Sequence, residues 1–284
     1  MDGILWLVTT DHLENGLWFK DDGDFMAGMN YVALLASSLS AQIMAFVLMS
    51  NHVHFVIGGN KSESVEFIHR FKKLYSQYFQ HKYSTKALLR YNQVDLKELS
   101  VSDESFERAV AYVQMNPVAA NICLSPSGYP WGTGNCFFSK SSFKSTPFKD
   151  LKVGYRRMLI HSKRPLPPNY IADESGFIIP SSYVKAEFVE SVFRTPARMN
   201  YFLQSSSKAR KVRKLPSFSD KLIVLAISEL ITSLFGKKDL KELEERQLTD
   251  TIKQVRRRFS ADPNQISRAT GISYPTIAKM LDSM

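Results

Sequence analysis

Two apolar segments separated by only two residues place the tightest constraint on the fold of this chain. Gln42 to Met49 and His52 to Ile57 are rich in residues that favour strands, and Ser50-Asn51 between them is a pair that favours turns. The pattern predicts two consecutive, largely buried strands joined by a tight turn. Any fold for this chain must contain a sheet built around this pair.

The segments around these strands alternate between strand and helix patterns. Before the pair come a compact apolar run and a segment with apolar residues at helical spacing; after it come an amphipathic helix, a weaker strand and a last helix. These elements are predicted at Ile4–Thr10, Phe25–Ser40, Ser64–Tyr83, Ala87–Leu96 and from Ser102 onward. The order matches a split βαβ pattern. We therefore expect an α+β fold over residues 1–138, a ferredoxin-like antiparallel sheet with helices on one face.

The chain after residue 138 has a different character. Residues 139–216 begin with a polar, serine-rich stretch and are predicted to be a connector that is partly helical and basic. Residues 217–284 have helical patterns throughout and are predicted to form a mostly α-helical extension, with a helix-turn-helix at about residues 262–283.

Positive charge is concentrated in the second half of the chain. The whole sequence has 37 Lys and Arg against 27 Asp and Glu, a formal net charge of +10. Residues 1–150 contain 13 basic and 14 acidic side chains, whereas residues 151–284 contain 24 and 13. A polyanion such as DNA is the partner that this balance favours, and the uneven distribution predicts that the two halves do different work.

Several classes of protein are disfavoured by simple features of the sequence. The two cysteines, Cys123 and Cys136, form no CxxC motif, which argues against a disulfide framework or a cysteine-based zinc site. The N-terminus lacks the basic segment of a signal peptide. No uncharged apolar run reaches the roughly 20 residues that span a bilayer. We expect a soluble cytoplasmic protein with no membrane partner.

Two histidines in the second strand of the pair are candidate metal ligands. His52 and His54 are two residues apart, so both imidazoles point to the same face of the sheet. That spacing can hold one divalent metal ion between them. The alternative is a pair of strand histidines that hydrogen-bond to neighbouring side chains or water, and the short pattern alone does not separate the two.

The last helix of the first region carries a second candidate pair. Tyr112 and Asn116 are four residues apart and share a helix face, and Pro117 is expected to end the helix near Asn116. The carboxamide oxygen of Asn116 is a hard ligand suited to magnesium or manganese. The alternatives are ordinary amphipathic packing for Tyr112 and a helix-end role for Asn116.

Three ordered motifs carry a resemblance to a known family. Met49-Ser50-Asn51-His52-Val53-His54-Phe55 resembles the MPNHVHLL motif of the HUH single-tyrosine transposases of bacterial insertion sequences, the IS200-like and REP-associated group. Residues 112–120 resemble that family's YIxxNPVxAG segment, and Tyr129-Pro130-Trp131 resembles the YPWSS segment that follows it. The resemblance covers roughly residues 3–138.

The resemblance implies an enzyme that cuts and rejoins single-stranded DNA during transposition and recombination. His52 and His54 would hold Mg²⁺ or Mn²⁺, with Asn116 as the third protein ligand, and Tyr112 would be the nucleophile that forms a 5′-phosphotyrosine. Because a free tyrosine has a pKa of about 10, the metal or a nearby base must assist removal of its proton. Relatives act as dimers on hairpin DNA, so a homodimer associated with the bacterial nucleoid is implied.

The sequence departs from the family pattern at several points. Ser50 replaces the usual proline, and Asn121 replaces the glycine that closes the second segment. A Trp-Gln-x-Arg-Phe segment expected between the motifs has no clear match, and Leu88 to Tyr91 occupies that region. Near the nucleophile, Arg108 and Gln114 are candidate contacts to the phosphate.

The C-terminal region carries the predicted DNA-binding residues. Gly271 supplies a left-handed turn between two short helices, and a second helix of this kind can contact duplex DNA. Exposed polar side chains on that helix would face the groove, while upstream basic residues would contact phosphates. The candidates are Ser273, Tyr274, Thr276, Lys279, Lys208, Arg210, Lys211, Arg213, Lys214, Arg256, Arg257 and Arg258.

Other functions are compatible with parts of the pattern. The chain could be a non-catalytic DNA-binding regulator or a domesticated transposase that binds repeat or hairpin DNA, and its C-terminal helices could serve oligomerisation alone. A two-histidine phosphoesterase is ranked last, because that chemistry requires two separate HxT or HxS motifs. The presence of His52, His54, Tyr112 and Asn116 together favours the active transposase.

Overall fold

A four-stranded antiparallel sheet forms the centre of the computed structural model, which describes residues 4–10, 17–86, 94–139, 145–162, 164–208, 218, 220–259 and 261–282. The strands are β1 (Leu5–Thr9), β2 (Gln42–Met49), β3 (His52–Gly58) and β4 (Asp95–Leu99), in the order β2-β3-β1-β4. The β2–β3 hairpin pairs Met49 with His52. The predicted antiparallel sheet and its β2–β3 hairpin are confirmed.

Helices cover both faces of this sheet. Helices α1 (Asp22–Ser38) and α2 (Lys61–Tyr83) pack on one face, where the Phe55 ring of β3 contacts Phe67 and Phe71 of α2. Helix α3 (Ser105–Ala119) lies on the other face, against β2 and β3. Because alternate residues of β3 point to opposite faces, His52 and His54 face α3. The split βαβ pattern predicts helices on one face of the sheet, and these are α1 and α2. Helix α3 adds a second helical layer on the other face.

Helix α3 continues past Pro117, and the prediction that it ends near Asn116 is wrong. Pro117 lies in the last turn and has no N–H to donate to the carbonyl of Val113. The Asn116 side chain compensates, since its Nδ2 lies 2.8 Å from the Tyr112 carbonyl oxygen and 3.5 Å from that of Val113. Asn121, two residues after the helix, has φ of +53°, a backbone conformation that glycine and asparagine tolerate best.

The predicted connector packs onto the sheet region. Its described part contains β5 (Ser145–Pro147), α4 (Val153–Ile160), β6 (Ile171–Asp173), α5 (Ala186–Phe193) and α6 (Pro196–Ser205), and their buried side chains share one hydrophobic core with the sheet. The buried Asn30 of α1 ties this segment down. Its Nδ2 donates to the carbonyls of Leu159 and Gly176, and its Oδ1 accepts from the N–H of Ile178. The described part of the segment predicted as a partly helical, basic connector is thus packed on the sheet region.

The C-terminal helices form a second, smaller core. They are α7 (Asp220–Phe235), α8 (Glu245–Phe259), α9 (Pro263–Thr270) and α10 (Tyr274–Asp282), and Leu17 from the N-terminal region also packs into this core. Gly271 ends α9 with φ of +72°, the left-handed turn expected from the sequence. Within the described ranges, no helix is long and apolar enough to cross a membrane.

Candidate active site

The two strand histidines stand side by side at the start of β3. Their ring centroids are 4.9 Å apart, at an interplanar angle of 77°. His54 is fully buried, whereas His52 is partly exposed and its Nδ1 lies 2.8 Å from Asn51 Oδ1. A proton on Nδ1, shared with that oxygen, leaves the lone pair of the His52 ring on Nε2.

Tyr112 of α3 contacts one of the two histidines directly. Its ring contacts the His54 ring edge to face, with centroids 5.2 Å apart and an interplanar angle of 82°. The tyrosine is half-buried, so its ring packs while part of it remains accessible. The structure thus brings together His52, His54 and Tyr112, which are separated by about sixty residues in the sequence.

Asn116 lies one helical turn after Tyr112 and is buried. Its Nδ2 is occupied by the helix carbonyls of Tyr112 and Val113, an arrangement that fixes the carboxamide and leaves the opposite atom, Oδ1, as its acceptor. A carboxamide oxygen held on the face that packs against β3 is a suitable ligand for a hard cation.

The other tyrosines that could compete as nucleophiles are structural. Tyr75 is fully buried and its hydroxyl donates to the carbonyl of Trp18. The Tyr78 hydroxyl donates to Asp24 Oδ1 at 3.1 Å. Burial raises the pKa of both hydroxyls well above the usual value, and the charge of Asp24 raises it further. Both lie on α2, on the opposite face of the sheet from the histidines.

Comparison with known proteins agrees with this geometry. Residues 26–116 match the family model described as "Transposase IS200 like". This part of the chain is similar in sequence to the IS200-like transposases. The match contains the histidine pair and Tyr112, and it ends at Asn116.

A solved structure of a REP-associated tyrosine transposase bound to a REP hairpin aligns with 47% of this chain and 78% of that chain. The TM-score is 0.36 and the sequence identity is 16%. No curated protein matches the chain.

Two candidate residues near Tyr112 have structural partners. Gln114 is buried and its Nε2 donates to the Thr133 carbonyl at 3.2 Å, so the prediction that it contacts phosphate is corrected. Arg108 is exposed one turn before Tyr112, and its Nη2 pairs with Glu104 at 2.8 Å. Arg108 therefore remains accessible, but its charge is already offset.

A lysine from outside the transposase match reaches the site. Lys208, three residues after α6, places its Nζ 4.7 Å from the centroid of the Tyr112 ring. The sequence indicated Lys208 only as one member of a basic run, and no local pattern links it to Tyr112. The other basic residues of that run, Arg210, Lys211, Arg213 and Lys214, lie outside the described residues, as does the Leu88–Tyr91 segment.

The predicted phosphate contacts on α8 divide into two kinds. Arg256 and Arg257 are exposed. Arg258 is only 9% exposed, and it pairs with Asp22 at 3.0 Å and donates to the carbonyl of Lys20. Arg258 therefore attaches the helical extension to the start of α1, which corrects its prediction as a DNA contact.

A cleft of about 150 Å³ separates α8 from the sheet region. Ser50, Tyr129 and Trp131 line one side, and Gln254 and Arg257 line the other. The Gln254 side-chain oxygen is buried without a hydrogen-bond partner among the described residues. Because Ser50 lies two positions before His52, this cleft opens beside the turn that joins β2 to β3.

The predicted groove-facing residues of α10 are on the surface. Ser273, Tyr274, Thr276 and Lys279 are exposed, while Ile277 on the opposite side of the helix is fully buried. The arrangement leaves a polar helix face accessible to a partner.

Proposed function

We propose that this chain is a transposase that cuts and rejoins single-stranded DNA, with Tyr112 as the nucleophile. The observation that carries the proposal is the contact between the Tyr112 and His54 rings, within a region that matches the IS200-like transposases. A half-buried tyrosine that contacts His54, with His52 beside it on the same strand face, would supply a nucleophile and two metal ligands in one place.

The residues fit a divalent ion, Mg²⁺ or Mn²⁺. The paired imidazoles face the same side of the sheet, and the contact between His52 Nδ1 and Asn51 Oδ1 is the kind of outer hydrogen bond that orients metal-bound histidines. The described part of the chain holds no group of three or more His, Cys, Asp or Glu side chains placed for a metal. In the proposal, His52, His54 and Asn116 would hold the ion together with oxygen atoms of the DNA.

A bound divalent ion would polarise the scissile phosphate and offset negative charge on its oxygens. The protein's own part begins with Tyr112. Its hydroxyl oxygen attacks the phosphorus and forms a P–O bond, while the bond from phosphorus to the 3′ oxygen breaks. The tyrosine proton leaves, and the departing oxygen gains a proton to become a 3′-OH. The 5′ end stays attached as a phosphotyrosine, and attack by another 3′-OH reverses the step and rejoins DNA without ATP.

The helical extension would supply affinity for DNA. Exposed Arg256 on α8 and exposed Arg257 beside the cleft would bind phosphates, and the exposed face of α10 would contact duplex DNA. A hairpin is the proposed substrate, as the resemblance of the three sequence motifs to single-tyrosine transposases implies. Action as a homodimer is part of the proposal.

The test is covalent capture of DNA by the full chain. A labelled single-stranded oligonucleotide pool with a fixed hairpin and a randomised flank is incubated with protein and Mn²⁺ or Mg²⁺, and adducts are resolved on a denaturing gel. We expect an adduct that Tyr112→Phe abolishes and Tyr78→Phe retains, with DNA binding by Tyr112→Phe unchanged. DNA binding without any adduct would instead support a non-catalytic regulator.

A further inference from the structure

A cation from the second half of the chain lies over the proposed nucleophile. The Lys208 ammonium is 4.7 Å from the centroid of the Tyr112 ring, close enough for a cation–π contact. Lys208 follows Tyr112 by almost one hundred residues and lies beyond the transposase match at residues 26–116. The transposase match therefore does not account for this contact.

Packing between two helices fixes where Lys208 lies. Helix α6 packs along α3, where Arg198 pairs with the buried Glu107 at 3.2 Å and Phe202 is buried in the core. The chain leaves α6 after Ser205, and Ser206 is itself buried. The Lys208 N–H then donates to Ser206 Oγ at 3.3 Å. These contacts hold the lysine within a few residues of a packed helix and direct it to the nucleophile.

Cations on and beside the two packed helices have different contacts. Arg108 and Arg198 both pair with carboxylates, Arg108 with Glu104 and Arg198 with Glu104 and Glu107. The Lys208 ammonium contacts the Tyr112 ring, and a cation–π contact is weaker than a charge-assisted hydrogen bond to phosphate. A phosphate bound at the Tyr112 hydroxyl can therefore draw the ammonium from the ring, because the flexible lysine stem permits the movement.

We propose that Lys208 binds the scissile phosphate and is a catalytic residue of the site, an inference that rests on the proposed function. Its ammonium would hold a non-bridging oxygen of the phosphate that Tyr112 attacks. It neither forms a covalent bond nor transfers a proton; the P–O bonds change as described above. The second half of the chain thus supplies a positive charge to a site whose own region is nearly neutral in charge.

The first experiment compares rates of adduct formation at saturating DNA with the same oligonucleotide pool. We expect Lys208→Gln to slow the reaction by about 100-fold or more, since removal of one donor to a developing oxyanion costs about 100- to 1,000-fold. Lys208→Arg keeps the charge and should stay within a few-fold of the unchanged protein. Lys73→Gln, which removes an exposed lysine of α2 on the other side of the sheet, is the matched control and should react normally.

The second experiment tests whether Lys208 contacts the scissile phosphate. Once the cleaved sequence is known, binding is measured to an oligonucleotide with an uncharged methylphosphonate at the scissile position and to one with the same change several nucleotides away. Lys208→Gln should weaken binding to the oligonucleotide that keeps the charged scissile phosphate. It should have almost no effect on binding to the oligonucleotide with the methylphosphonate at the scissile position. On unmodified DNA, its slope of log affinity against log salt should fall by about 0.7.

The outcomes separate this inference from the proposed function. If the unchanged protein forms no adduct, the proposed function fails and the inference fails with it. If adducts form at the same rate with Lys208→Gln, the inference alone is wrong. A faster rate in Lys208→Gln would show that the lysine covers the nucleophile, and this result would also overturn the inference. An equal loss of affinity with both modified oligonucleotides would overturn it as well.

Discussion

The sheet region and the C-terminal helices handle charge in opposite ways. Around Tyr112, the candidate side chains are buried or half-buried and their positions are set by packing and hydrogen bonds, as with His54 and Asn116. On α8 and α10, the candidate side chains such as Arg257 and Lys279 are exposed and project from a small core. Chemistry requires fixed positions, whereas affinity for a polyanion requires accessible charge.

The segment between the two regions modifies this division. Residues 145–208, apart from residue 163, share the core of the sheet, and this segment ends by placing Lys208 over Tyr112. Arg258 is the opposite case. It is a basic residue of the extension, but it attaches the extension to Asp22 and Lys20. The net charge of each half therefore does not predict what an individual cation does.

The largest effect is expected in the sheet region, from a change to the buried histidine. His54→Gln should slow adduct formation by about 100-fold or more, because one of two proposed metal ligands is lost while DNA binding by the extension remains. The rate is measured on denaturing gels at saturating DNA and metal. His81→Gln on the exposed side of α2 is the control. A normal rate in His54→Gln would remove the histidine pair from the mechanism.

A smaller effect, on affinity, is expected from the surface of α8. Replacing Arg256 and Arg257 together by Gln should weaken DNA binding by about 10-fold and reduce the salt dependence, since each contacted phosphate adds to the slope. Fluorescence anisotropy at several salt concentrations measures both. Affinity should change more than the rate at saturating DNA. The opposite pattern would show that the extension takes part in the chemistry.

The smallest effect is expected at the attachment between the regions. Arg258→Leu should lower the free energy of unfolding by about 1–2 kcal/mol, because it removes a hydrogen bond to the Lys20 carbonyl and the pair with Asp22. Asp22→Asn should cost less, since Asp22 is 57% exposed and solvent screens the pair. Urea unfolding measures both variants. Equal stability of Arg258→Leu and the unchanged protein would show that the attachment contributes nothing.

Local patterns in the sequence predicted much of the sheet region. The β2–β3 hairpin, α1 and α2 follow from apolar spacing and turn residues, which act over short distances. Pro117 misled the same reasoning, because the Asn116 side chain bonds to helix carbonyls near the position where proline has no N–H to donate. A rule that considers only the residue before proline does not include that compensation.

Contacts between distant residues could not be predicted in this way. Asn30 holds Leu159 and Gly176, more than one hundred residues away, and no periodicity in either segment indicates that bond. Lys72 of α2 is fully buried, with its ammonium 5.8 Å from the centroid of the Trp18 ring, although a lysine on an amphipathic helix is normally expected on the exposed face. The contact of Lys208 with Tyr112 belongs to the same class.

Peptide mapping of the covalent adduct tests the central claim most directly. The full chain is reacted with the hairpin oligonucleotide pool and a divalent metal, digested with nuclease and protease, and analysed by mass spectrometry. The account predicts a nucleotide attached through its 5′ phosphate to the peptide that contains Tyr112, and none when the metal is chelated. A nucleotide on a peptide that contains Tyr75 or Tyr78, or DNA cleavage with no protein adduct, would contradict it.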